Sequence, residues 1–407
     1  MRLLMLTLFV PHRGVGHGAA TVDAHYVEYF GRRHDLTVAA FTFNDREAAL
    51  ARELAGTGVD VRTVPFPDTT LRRMRARAQS LFGPTPFLPR LFNRPAMASM
   101  LGALFQEKTF DLVQIETSFL GEYLPLVPAD AVRVLMELDV SVKPLARRYR
   151  LERSRLRRAW HRQQWLQMRR YEPALCRRVD RVYAVSQEDR ALLGDLAGID
   201  VGLFRYGVDP ALLSVPLKMR NDHRALFLGA FLHQPNVHGL EWFAESVLPE
   251  ARRRVPDLTF WCVGRNPPPC AQALARDPAN RVLGWVPNVG DALAQVDVGV
   301  VPLLSGGGVK LKTLEMLAAG KAVVTTPIGI EGIDARDGEH LLVARTAQEF
   351  ADKLVRLLTD DHLRRQLGAK GRELVCRDHQ WGSNLASLER EYLALTGGAM
   401  ARTASAV

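Results

Sequence analysis

Cysteine is scarce in this chain. Four occur in 407 residues, Cys176, Cys262, Cys270 and Cys376, without paired metal-type spacing, and they read as reduced, structural thiols. Long apolar runs are missing too. None approaches the roughly 20 residues of a spanning helix, so a cytoplasmic protein, or one peripheral to a membrane on its cytoplasmic face, is expected. Leu3 to Val10 is followed by Pro11-His12-Arg13-Gly14 with no small-residue cleavage site, which makes it a first β-strand rather than a signal peptide. A dinucleotide fingerprint is absent: Gly14-x-Gly16-x-Gly18 lacks its correctly spaced third glycine and no acid ends the second strand, which argues against a nicotinamide cofactor. No acidic metal motif is evident. Acids are outnumbered, 44 against 54 Lys and Arg for a formal charge of +10, which suits nucleic acid, anionic lipid or acidic ligands. Apolar content of 47% and charged content of 24% are those of a soluble globular protein, and the length suits two domains.

What is present centres on Val296 to Ile333. Asp297-Val298-Gly299-Val300-Val301-Pro302-Leu303 is an apolar run of the kind buried in a parallel sheet. Ser305-Gly306-Gly307-Gly308 breaks it. Val309 to Ala319 follows, with Leu311, Leu314 and Ala318 at helical spacing and Gly320 as a stop, and Ala322 to Thr325 is the next strand. Glycines ahead of a helix N-terminus allow close backbone approach, and the free N–H groups and helix dipole there favour an anion. Lys310 and Lys312 add positive charge. Glu315 lies one turn beyond Lys312 on the same side, which puts its carboxylate in reach of a sugar hydroxyl beside a phosphate held by the lysines. The alternative is an ordinary Lys312–Glu315 surface pair next to a flexible linker.

The run Gly-Gly-Val-Lys-Leu-Lys-Thr-Leu-Glu-Met-Leu-Ala-Ala-Gly-Lys-Ala-Val-Val-Thr-Thr, from Gly307, resembles the donor-binding segment of glycosyltransferase family 4, the group 1 glycosyltransferases. The resemblance implies an α/β protein of the GT-B fold: two Rossmann-like domains facing a cleft, and a C-terminal helix crossing back to the first. It implies that Glu315 binds the ribose of a nucleotide-sugar, that Gly308 and Val309 line the donor, and that Lys310 and Lys312 stabilise the departing diphosphate. Transfer would retain the anomeric configuration without a protein nucleophile, an essential metal or a cofactor other than the nucleotide-sugar co-substrate. Gly307 departs from the pattern, since a second, sugar-contacting glutamate often stands there. A branch with a basic Gly-x-Arg/Lys-x-Lys segment shares the departure, as it shares Pro235-Asn236 ahead of a helix containing Trp242 and Phe243. The loop from Gly229 lacks the arginine and lysine that many members direct at the diphosphate, which leaves more of that duty to Lys310 and Lys312. Arg265 is expected near phosphate. Gly284-Trp285-Val286 resembles the loop framing the nucleobase, with packing of the domain as the simpler role for Trp285.

Near the N-terminus Gly18-Ala19 stands where the family has a Gly-Gly pair, with Gly16 and His17 beside it, at a loop for acceptor or phosphate; tight turning is the simpler reading. Glu116, Thr117, Glu137 and Asp139 end predicted strands and are candidate acceptor contacts, Asp139 first among them because the family often places a sugar-contacting residue there; as strand-end groups they also suit helix caps and loop acids. Two basic stretches interrupt the pattern. Arg72 to Arg94 mixes arginine with Phe82, Phe87 and Phe92, and Arg147 to Arg170 interleaves arginine with Trp160 and Trp165. These favour an anionic membrane surface over nucleic acid, against the plainer alternative of a solvated basic helix. Residues 1–212 are expected as the acceptor domain, 213–380 as the donor domain after a linker near Leu213 to His223, 381–395 as the crossover helix and 396–407 as a disordered tail. The expected function is transfer of a sugar from a nucleotide-sugar to a glycan or lipid-linked acceptor, in cell-surface polysaccharide or glycolipid synthesis. The competing expectation is an inactive nucleotide-sugar-binding scaffold at the membrane.

Overall fold

In the computed structural model, which describes residues 1–217 and 222–404, the chain forms two compact units: Met1–Phe204 with the residues from Leu385 onward, and Arg205–Asn384. The first unit carries strands β1 (Arg2–Thr7), β2 (Asp35–Thr42), β3 (Asp60–Pro65), β4 (Leu112–Glu116), β5 (Val132–Glu137), β6 (Arg181–Ala184) and β7 (Gly202–Leu203). They pair in parallel in the order β3-β2-β1-β4-β5-β6-β7. The second carries β8 (Arg224–Leu228), β9 (Thr259–Val263), β10 (Asn280–Gly284), β11 (Val298–Val301), β12 (Ala322–Thr325) and β13 (Leu342–Val343), also parallel, in the order β10-β9-β8-β11-β12-β13. Chain order reverses between β1 and β4 and again between β8 and β11. Each unit therefore has one switch point where the carboxyl ends of strands can receive a ligand.

Helices cover both faces of each sheet, and this explains the continuous apolar runs of the strands. In the second unit Ala225, Phe227, Val298, Val300, Ala322 and Val324 join one core, while Leu226, Leu228, Val301 and Val323 join another across the sheet. The period of two is the pleat. Gly299 in the middle of β11 has a packing reason: a Cβ there would sit 2.4 Å from Met316 Sδ, so its absence lets the helix Leu311–Ala318 lie against the strand. All four cysteines are free thiols, with Cys176 and Cys262 buried. Among the described residues no helix is long and apolar enough to cross a membrane.

Three boundaries differ from expectation. The units divide at Phe204/Arg205 rather than 212/213, because the segment after Phe204 is stitched into the second unit. His379 Nδ1 donates to Tyr206 O (2.8 Å), Val208 N donates to His379 O (3.0 Å), and a Cβ on Gly207 would meet the Trp381 backbone nitrogen at 2.4 Å. The expected linker is partly structured: Leu213 ends a short helix (Pro210–Leu213), and Val215 is buried with its carbonyl accepting from Arg372 (2.6 Å). Residues 218–221 of it lie outside the described residues. The last helix, Trp381–Ala404, passes the expected stop at Leu395. Residues 396–404 are helical where a disordered tail was expected, and Thr396 is buried there with its hydroxyl donating to Tyr392 O (2.9 Å). Residues 405–407 lie outside the described residues.

Candidate functional site

At the second switch point the chain leaves β11 through Pro302 and Leu303 and turns in the left-handed region at Gly306 (φ 125°) and Gly308 (φ 64°), which side chains resist. The helix Leu311–Ala318 begins at Lys310 with no side-chain cap, so its first-turn N–H groups suit an anion. Buried Leu314, Met316 and Leu317 anchor the helix, and the Thr313 hydroxyl ties it to Gly329 O (2.7 Å).

Lys310 does not face outward as an open cation. Its Nζ donates to Gly307 O (2.7 Å) and Gly308 O (2.6 Å) and lies 3.8 Å from Glu331, with the side chain 7% exposed. It clamps the glycine loop. Lys312 is half-buried; its Nζ donates to Asn236 Oδ1 and lies 4.9 Å from the centre of the Phe227 ring. Asn236 is held in turn by its Nδ2, which donates to Ala230 O (2.7 Å), and the two contacts assign its amide ends. The lysine thus turns to Asn236 rather than forming the surface pair with Glu315. Burial pulls the Lys312 ammonium down to about 7, with Glu315 opposing and Lys310 adding to the shift. Burial pushes the Glu315 carboxyl up to about 7, opposed by Lys312 and reinforced by Asp209. Both groups stand near their midpoints at neutral pH, poised for a ligand to set their charge.

The neighbouring strand ends stack by backbone. Gly229 N donates to Val263 O (2.9 Å) and Gly264 N to Gly284 O (2.7 Å). A Cβ on Gly264 would fall 1.8 Å from Gly229 O, so glycine is required there. Beyond them the Arg265 guanidinium lies 4.9 Å over the Trp285 ring, and Trp285 is 58% exposed. Its indole does not pack the domain; it offers a flat face beside a cation. Val286 is partly buried against the core.

In the first unit, Gly16 takes φ 80° and His17 caps the helix Gly18–Phe30, its Nδ1 accepting from Ala19 N (3.2 Å) while the ring stacks on Phe9 at 4.2 Å. That contact leaves the proton on Nε2. Asp139 follows β5 beside two sealed carboxyls. Glu137 accepts from Ser118 N (2.7 Å), and Glu172 from Ser118 Oγ (3.1 Å) and Ser141 N (3.0 Å). Burial raises Glu137 well above the carboxylate range and Glu172 to about 8. Glu116 is likewise buried, accepting from Gln114 Nε2 (2.9 Å). Glu116 and Glu137 are therefore internal groups, neither solvated loop acids nor side chains projecting from the strand ends as candidate acceptor contacts. Thr117 between them has φ 64°, a conformation costly for a β-branched residue.

Residues 222–360 match the family described as Glycosyl transferases group 1. That segment is similar to a group 1 glycosyl transferase domain. It is 35% identical over 130 residues to a phosphatidyl-myo-inositol mannosyltransferase of Mycobacterium leprae (31% of this chain, 34% of the relative) and 30% identical over 237 residues to one of Mycobacterium tuberculosis (54% and 62%). The chain thus spans between about a third and three-fifths of these curated relatives. Among solved structures, sucrose-phosphate synthase of Thermosynechococcus elongatus aligns over 98% of this chain and 100% of its own at TM-score 0.70 and 15% identity. Anabaena HepE in complex with UDP-glucose aligns over 97% and 100% at TM-score 0.67 and 13% identity. These likenesses show the GT-B fold.

The matched segment 222–360 holds Gly229, Arg265, Trp285, Val286, Gly308, Val309, Lys310, Lys312 and Glu315, all on loops or the helix after them at carboxyl ends of the second sheet. Sequence reasoning missed three partners within the second unit: Asn236, which orients Lys312, and Glu331 and Asp209, which act on Lys310 and Glu315. Asn236 had a visible signal in its place on the first turn of a helix just past β8. Glu331 had none, because loop closure brings it to Lys310.

Proposed function

We propose that the protein transfers a hexosyl group from a nucleotide diphosphate sugar to a glycan or lipid-linked acceptor with retention of configuration, the second unit taking the donor and the first the acceptor. The observation that carries the reading is the uncapped helix start at the second switch point, where Lys312 and Glu315 lie one turn apart with mutually tuned charge. A diphosphate there would accept from the helix N–H groups and draw a proton onto Lys312, while the ribose would donate to Glu315. As the sugar departs, charge accumulates on the diphosphate, and donors already fixed in place stabilise it without reorganisation. Lys312 and the helix start supply that charge, and the reading assigns no role to a metal or a further cofactor. Support for a lipid-linked acceptor comes from the relatives named for phosphatidyl-myo-inositol; support for a UDP-sugar comes from HepE. Thermal shift against a panel of UDP-, GDP- and ADP-sugars, followed by a sugar-release assay in chelator, tests the proposal: one donor should stabilise the protein and turn over.

One observation favours a second reading. By the resemblance, Gly307 stands where members of the family often carry a sugar-contacting glutamate, and Lys310 points back at its own loop. A nucleotide-sugar-binding scaffold would show the same thermal shift and release no sugar.

A further inference from the structure

We propose that the outer side of the helix Thr70–Phe82, with the adjoining side of the helix Arg155–Cys176, is a docking face for an anionic bilayer surface. The helix Thr70–Phe82 is laid on the first unit the wrong way round for a solvated helix. Its buried positions are Ala76 and Ser80, whereas Leu71, Met74, Ala78, Leu81 and Phe82, which share one stripe at helical spacing, face solvent. Phe82 is 93% exposed and Leu71 76%. Scattered apolar side chains on a surface mean little, but a contiguous stripe is uncommon in a protein that meets only water. Leu166, which lines the same groove as Leu81 and Phe82, adds to it from the second helix.

The stripe is held in place. The free carbonyls at the end of the first helix are taken by glutamines of the second: Gln163 Nε2 reaches Leu81 O (3.0 Å), and Gln167 Nε2 reaches Ser80 O and Gly83 O (both 2.7 Å). These contacts fix Leu81 and Phe82 at the rim of a groove of about 470 Å³ lined by Pro84, Arg162, Leu166 and Arg170 among others. Arg75, Arg162 and Arg170 are exposed and have no acidic partner among the described residues. Apolar side chains flanked by uncompensated arginine suit the boundary between acyl chains and anionic headgroups. A second copy of the chain would set arginine against arginine, and a nucleic acid would leave the apolar stripe in water. The structure also corrects which aromatics insert. Phe87 meets Trp160, and Phe92 packs on Phe66, Phe41 and Phe119, so both lie partly buried against the first unit's core and Phe82 alone of the three projects.

Flotation of the full chain with vesicles of phosphatidylcholine, with and without an equal amount of phosphatidylglycerol, tests this independently of sugar transfer. The wild type should float with the anionic vesicles only. Leu81→Ser with Phe82→Ser should lower the bound fraction about tenfold or more, since the apolar contact is removed. Arg75→Gln with Arg162→Gln and Arg170→Gln should do likewise and flatten the salt dependence. All these positions are exposed, so circular dichroism and melting should match the wild type. The proposal is overturned if both variants float as the wild type does, if neutral vesicles bind equally well, or if the serine variant changes only the sedimentation of an oligomer.

Discussion

The two units share a strand order yet treat their acids in opposite ways. Behind the first switch point the carboxyls are sealed. Asp23 accepts from the Thr7 hydroxyl (2.8 Å) and is pushed up to about 6 by burial, Glu116 is pushed well above its usual range, and Tyr392 closes the network by donating to Gln114 (2.6 Å). Glu137 and Glu172 form a second sealed set with Ser118 and Ser141. At the second switch point Lys312 and Glu315 are only half-buried. The same topology delivers polar groups to strand ends in both units, and what covers them decides whether they hold the fold or meet a ligand.

The largest expected effect tests the open site. Lys312→Ala should lower sugar transfer about a hundredfold or more while leaving the fold intact, as removal of a fixed donor to developing charge does elsewhere. Turnover within a few-fold of wild type would remove the distinction between the two switch points. The sealed site is tested by stability instead. Glu172→Leu leaves the Ser118 hydroxyl and Ser141 N–H without their acceptor and should cost about 2–4 kcal/mol in denaturant titration, whereas Glu172→Gln keeps an acceptor and should cost less than about 1 kcal/mol. Equal losses would mean that charge, not hydrogen bonding, holds this set together.

Glu315→Gln should weaken a nucleoside diphosphate about tenfold in calorimetry, or about 1.4 kcal/mol, without lowering the melting temperature. A drop in melting temperature with intact affinity would place Glu315 in the sealed class. The smallest effect is in pH. The raised Glu315 carboxyl contributes stability at acid pH that is lost as pH climbs through about 7, and the lowered Lys312 ammonium contributes stability at alkaline pH that is lost as pH falls through about 7. These two groups therefore leave the ligand-free second unit least stable near neutrality. Inorganic pyrophosphate, which favours the charged lysine, should bind more weakly as pH rises above about 7, by at most about tenfold per unit. Asn236→Asp, which sets a carboxylate against Lys312, should move that decline to higher pH. A flat profile in both proteins would show that Lys312 stays charged throughout.

Much of the second unit is legible in the order of its amino acids. Its strands run apolar on both faces, and Gly306 to Gly308 ahead of a helix mark an anion site in local terms. Glu315 and Lys312 share a helix face by spacing alone. Three things are not legible there. The unit boundary at Phe204 depends on His379 and Trp381, far along the chain. Phe87 and Phe92 read like Phe82 as letters, and packing alone distinguishes the partly buried pair from the exposed ring. Lys310 and Lys312 look equivalent in sequence, but Glu331 and two loop carbonyls take one while Asn236 holds the other. Periodicity, glycine placement and charge are properties of neighbours along the chain, so the sequence by itself determined the α/β class, the anion loop and the basic helices. Burial is a property of what arrives from elsewhere, and so only the tertiary structure decided which acids are sealed, which lysine is open and which phenylalanine faces out.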